Sequence, residues 1–113
     1  MEKFADWREG AEHFNQGRYW DAHEAWERGW LGLPPAEKLH VQAMIQVAAV
    51  MHHLVRGTTD PARRLAALAL EKLADGKLTD EPRIIIEGAE GFLRHVLAGA
   101  SAEAGKSLRA RVE

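Results

Sequence analysis

The segment Tyr19-Trp20-Asp21-Ala22-His23-Glu24-Ala25-Trp26-Glu27-Arg28-Gly29-Trp30 holds the densest set of groups that could do chemistry in this chain. Read as a helix, at about 100° per residue, it puts Tyr19, Ala22, His23, Trp26 and Trp30 on one face, with Glu27 at its edge. His23 stands in the middle of this aromatic stripe, where a leucine would be expected. Glu27 lies one turn on, close enough to share a proton or a metal ion with it. Glu24 falls farther round, beside Trp20 and Glu27. A second polar line follows on the next apolar segment, where Gln42, Gln46, Ala49 and His53 are spaced four, three and four apart. Buried polar groups need partners, because an unpaired one costs roughly 1–3 kcal/mol. Two such lines on consecutive antiparallel helices are expected to face each other. The connecting turn then sets His23 level with Gln42 to Gln46 and leaves His53 nearer the junction of the first two helices.

Three chemistries fit these residue types. His23 and Glu27, with His53 as a third ligand and Gln46 nearby, could hold a divalent metal such as zinc, iron or manganese. The order His-Glu-x-x-Glu departs from the zinc-protease pattern, which needs a second histidine four residues after the first. It also departs from the di-iron bundle pattern, which sets histidine three residues after glutamate and does so twice, so no dinuclear site is expected. The second chemistry is a buried hydrogen-bond network in which His23 bonds Glu27 or Gln46 and locks two helices together. The third is a proton-transfer pair in a ligand pocket, for which no nucleophile or phosphate loop stands ready.

These groups need helices to position them. Phe4, Trp7, Ala11 and Phe14 repeat at three and four residues and predict a helix from about Glu2 to Gln16, ended by Gly17. The second runs over Tyr19–Trp30. Leu31-Gly32-Leu33-Pro34-Pro35 is a tight connection whose last proline suits a first helical position. The third runs from about Ala36 to Arg56, is apolar round almost its whole circumference, and ends at Gly57. Asp60-Pro61 opens a fourth that carries Leu65, Leu68, Ala69 and Leu73 inward and ends near Gly76. A fifth follows Asp80-Glu81-Pro82, takes in Ile84-Ile85-Ile86, and runs to about Gly99 with Ile85, Ala89, Phe92, Leu93 and Val96 on its apolar side. The expected fold is all-α, a compact antiparallel bundle of about five helices with the third at its centre. Residues 1–113 read as a single domain, with a loosely held tail from about residue 100.

Trp7, Trp26 and Trp30 fit core packing, and so does Trp20, although an exposed Trp20 would make a contact anchor. His13, His40, His52 and His95 read as surface or packing residues.

Composition narrows the partners. Fifteen lysines and arginines against 17 aspartates and glutamates give a formal net charge of -2, which argues against general affinity for nucleic acid or an anionic membrane. There is no cysteine, so disulfides and thiolate chemistry are excluded. The most apolar stretch, Val41 to Val55, is interrupted by Gln42, Gln46, His52 and His53 and is too short to span a bilayer. The N-terminus reads as no signal peptide, so a cytoplasmic location is expected. Asn15 is the only asparagine.

The stretch Phe14 to Glu27, closed by Trp30, resembles the domain of unknown function family 309. Its hallmark is a histidine, a glutamate four on and a tryptophan three further, here His23, Glu27 and Trp30. The next helix fits through Ile45-Gln46-Val47-Ala48-Ala49 and the turn from His53 to Gly57, so the resemblance spans about residues 4 to 75. One departure is Leu31, where the family often has a small hydroxyl residue. The resemblance implies an all-helical fold and a prokaryotic-type protein, and no activity. Gly17-Arg18-Tyr19-Trp20-Asp21-Ala22 also echoes the helical hairpin of tetratricopeptide repeats, in which a helix-pair groove binds a partner segment. The first expectation is therefore a binding or interaction module with a structural network of His23, Glu27 and Gln46, and with a protein partner or a homodimer. The second is a metal-dependent, hydrolase-like enzyme built on His23 and Glu27.

Overall fold

A computed structural model of the chain describes residues 2–75 and 83–113. The elements run α1 (Glu2–Asn15), α2 (Tyr19–Trp30), α3 (Pro35–Arg56), α4 (Thr59–Asp75), β1 (Ile84–Ile86), α5 (Ala89–Leu97), a 3-10 turn (Ala102–Gly105) and β2 (Ala110–Val112). The expected five-helix bundle is present, with α3 packed centrally against α4 and α2. The side chain of Phe4, the expected end of the fourth helix at Gly76 and the expected start of the fifth at Asp80-Glu81-Pro82 lie outside the described residues.

Helix α3 is central because it has almost no polar face. Val41, Ala43, Met44, Val47, Ala48, Val50 and Met51 are all buried. Pro34 stands extended before it and Pro35 takes a first-turn position, where its missing N–H costs nothing. Gly57 ends it at φ 82°, a left-handed conformation that glycine takes without steric penalty. There Thr58 N donates to His53 O at 2.9 Å and Gly57 N to Leu54 O at 3.1 Å, satisfying the last carbonyls.

Helices α1 and α2 interlock through two tryptophans and two glycines. Trp26 lies against Gly10, and Trp7 lies against Gly29, where an added Cβ would come within 2.6 Å of the indole. Trp26 Nε1 donates to Trp7 O at 3.0 Å in a buried setting. Phe14 fills the remaining space, stacked on Trp26 at 5.8 Å and edge-on to Tyr19 at 5.1 Å.

Two expectations about the C-terminal third are corrected. Ile84-Ile85-Ile86 is a strand, not the start of the fifth helix. Three successive β-branched residues favour extended backbone, and Gly88, at φ 81°, breaks the chain before α5 begins at Ala89. Likewise, the tail is anchored rather than loosely held. β2 pairs antiparallel with β1, Ile84 opposite Val112 and Ile86 opposite Ala110. Asn15 secures the far edge: its Nδ2 donates to Ala110 O at 2.9 Å, and Ala110 N donates to its Oδ1 at 2.7 Å. The amide of Asn15 thus stands in for a third strand. Asn15→Ala is expected to lower stability by about 1–3 kcal/mol, since it leaves two part-buried backbone groups unpaired. The check is urea unfolding together with amide exchange at Ala110, which should accelerate.

Candidate functional site

Two contacts, one at each end, show α2 running antiparallel to α3. The Trp20 ring lies 4.9 Å from that of His52, tilted by 42°. Ten residues on along α2, Trp30 Nε1 reaches back to Lys38 O near the start of α3. His23, Glu27 and Trp30 then face Gln42, Ile45, Gln46 and Ala49 across a cleft, and Leu65 of α4 closes the third side. Together these residues line a pocket of about 200 Å³. Four of the polar residues singled out in the sequence therefore share one cavity: His23, Glu27, Gln42 and Gln46.

They share it without bonding to one another as expected. His23 Nε2 lies 3.9 Å from Glu27 Oε2, within Coulombic range but beyond a hydrogen bond. The His23 side chain is 18% exposed and that of Glu27 54%. His23 Nδ1 and Gln46 Oε1 are both shielded from water and have no hydrogen-bond partner. The imidazole is instead stacked on Trp20, with ring centroids 4.5 Å apart and planes 10° from parallel.

His53 departs from its expected place. Its Nδ1 lies 2.8 Å from Thr58 Oγ1, and that hydroxyl donates to His53 O at 3.1 Å. The single hydroxyl proton is used on the carbonyl, so His53 Nδ1 is the donor in the other bond. This draws His53 to the C-terminal end of α3, outside the pocket. The metal set of His23, Glu27 and His53 is thus not assembled, and among the described residues no three His, Cys, Asp or Glu side chains are grouped to hold an ion.

The aromatic neighbours divide. Tyr19 and Trp26 are buried in the α1–α2 interlock and do not reach the cleft. Burial pushes the Tyr19 hydroxyl up, against the lowering effect of Lys106 and Arg109. Trp30 lines the cleft, and its Nε1 donates to Lys38 O at 3.1 Å, tying the end of α2 to the start of α3. Trp20 is not core: it is 44% exposed. Glu24 is exposed and lies outside the pocket lining.

His52, read from the sequence as a surface or packing residue, and Leu65, read as an inward residue of the fourth helix, both join the surroundings of the cleft. His52 sits one residue off the Gln42–His53 line, and that offset is what turns it to Trp20. Burial, then the charges of His53, Arg56 and His23, hold its imidazole below the usual histidine range. His40, read as a surface or packing residue, places Nε2 2.9 Å from Ile84 O and so secures the outer edge of β1.

Fold and cleft together define an all-helical bundle with a polar pocket floored by its central helix. The chain belongs to the family described as Domain of unknown function (DUF309), whose model matches residues 7–65 and so spans α2, α3 and the cleft. Among curated proteins and solved structures, nothing matches the chain. No helix among the described residues is long and apolar enough to cross a membrane.

Proposed function

We propose that the protein is a binding module whose α2–α3–α4 cleft receives a polar group from a ligand. The observation that carries this reading is that two of the buried atoms without a hydrogen-bond partner, His23 Nδ1 and Gln46 Oε1, belong to side chains lining this one cavity, while Trp7 Nε1, His13 Nδ1 and Glu37 Oε2 lie apart from it. An unpaired buried polar atom costs roughly 1–3 kcal/mol, which a fold selected for stability alone would remove. Local violations of this kind are expected where a surface serves a ligand. The net charge of -2 gives no support to nucleic acid or anionic membrane as that ligand.

The test is chemical-shift mapping on 15N-labelled protein with four small probes of one chain length: butylguanidinium, butylammonium, butanamide and butyrate. Binding by any of them, with shifts clustered at residues 23–30, 42–49 and Leu65, is the expected result. Shifts scattered over the surface, or none, would remove the cleft as a site.

A further inference from the structure

Resting on that reading of the cleft, we propose that the group it takes is an organic cation, an ammonium or guanidinium carried on a short apolar stem. Glu27 is the charged side chain that lines the pocket, and no lysine or arginine joins it among the described lining residues. Lys38 holds its Nζ over the Trp30 ring, 4.5 Å from the centroid, and stays outside the lining. An anion entering here would meet the Glu27 carboxylate with no lysine or arginine in the described lining to offset it, which disfavours phosphate and carboxylate ligands.

Hydrogen-bond polarity points the same way. A carboxylate only accepts, and Gln46 Oε1 is an acceptor without a donor. Both of these acceptors call for a donor. A guanidinium brings five and an ammonium three, and neither brings an acceptor. The terminal torsion of a glutamine amide is broad, so a small rotation presents the Gln46 oxygen to a bound group.

Ile45, Ala49 and Leu65 give the cavity apolar walls, and His23 to Trp30 spans about 10 Å of helix. An alkyl stem can lie along those walls with its charged head at Glu27. Lysine and arginine side chains of a partner protein have this form, and so do free alkylamines.

The four probes discriminate. The two cations are expected to bind at least about tenfold more tightly than butanamide or butyrate, and Glu27→Gln should weaken them by about tenfold, the scale of one charge-assisted hydrogen bond. Glu27 is half exposed, so this variant keeps the fold, which its amide spectrum verifies. Butyrate or butanamide binding at the same residues as tightly as the cations would overturn the ligand class and leave the site standing. Silence from all four would remove the site itself. An end-capped peptide Ala-Ala-Arg-Ala-Ala separates the two sources. Tighter binding than butylguanidinium assigns the cation to a partner chain, weaker binding assigns it to a free amine, and both agree with the proposal.

Discussion

Replacing Trp26 by alanine is expected to remove about 3–5 kcal/mol of stability, the usual cost of truncating a large buried aromatic side chain. Trp26 is 0% exposed, stacks on Phe14 and supplies the buried hydrogen bond to Trp7 O. The space it leaves is bounded by Gly10, which has no side chain to collapse into the cavity. For a domain of this size the melting temperature should fall by roughly 12–25 °C. Trp26→Phe should cost less, because it keeps an aromatic ring and loses the hydrogen bond and part of the volume. Urea unfolding of the two variants checks the order. A loss below about 1 kcal/mol for the alanine variant would mean that the interlock does not hold α1 on α2.

Adding a single methyl group on the other side of the same contact should also destabilise. A Cβ at Gly10 would fall inside the Trp26 indole, which is rigid and fully enclosed. Gly10→Ala is therefore expected to cost about 1–3 kcal/mol by overpacking, although alanine is the better helix former. Gly91 in α5 provides the opposite case, since nothing lies within 4 Å of an added Cβ there. Gly91→Ala should gain about 0.5–1 kcal/mol from helix propensity alone. Opposite signs for one chemical change, read by thermal or urea unfolding, would establish that close approach of the helices decides the effect at Gly10. Equal signs would argue against the interlock.

The interlock matters to the site because it fixes the rotation of α2. Trp26 is turned to α1 and held by Gly10 and Trp7, so His23, Glu27 and Trp30 are left to face α3. A looser α1–α2 contact would let α2 turn and break up the cleft wall. Stability of the first helical pair and geometry of the cleft are thus linked through one side chain.

Much of this arrangement was legible in the residues. Gly17, Pro35 and Gly57 mark helix boundaries by backbone chemistry that depends little on tertiary context. The apolar circumference of α3 identified the central helix, and the polar lines on α2 and α3 identified four residues of the cavity. Side-chain rotamers are not legible. Helical spacing says which side chains share a face, but not which way each one turns, so it cannot show that His23 Nδ1 and Gln46 Oε1 stay without hydrogen-bond partners. His53 was placed in the cluster because periodicity cannot see the Thr58 hydroxyl that draws it away. The strand at Ile84–Ile86 was missed because its partner, Ala110–Val112, lies a helix and a turn later in the chain. Short antiparallel pairs without an intervening tight turn leave little local signal.

Gln46→Met separates a cleft whose polar side chains serve a ligand from one whose side chains serve the fold. Methionine is close to glutamine in length and volume and can occupy the same space without a buried acceptor. Measured by equilibrium urea unfolding, the variant should be as stable as the parent or more stable by about 1 kcal/mol, because the substitution removes an unsatisfied atom and breaks no bond. A loss of about 1–3 kcal/mol would contradict the account, showing that Gln46 is a hydrogen-bonded part of a structural network.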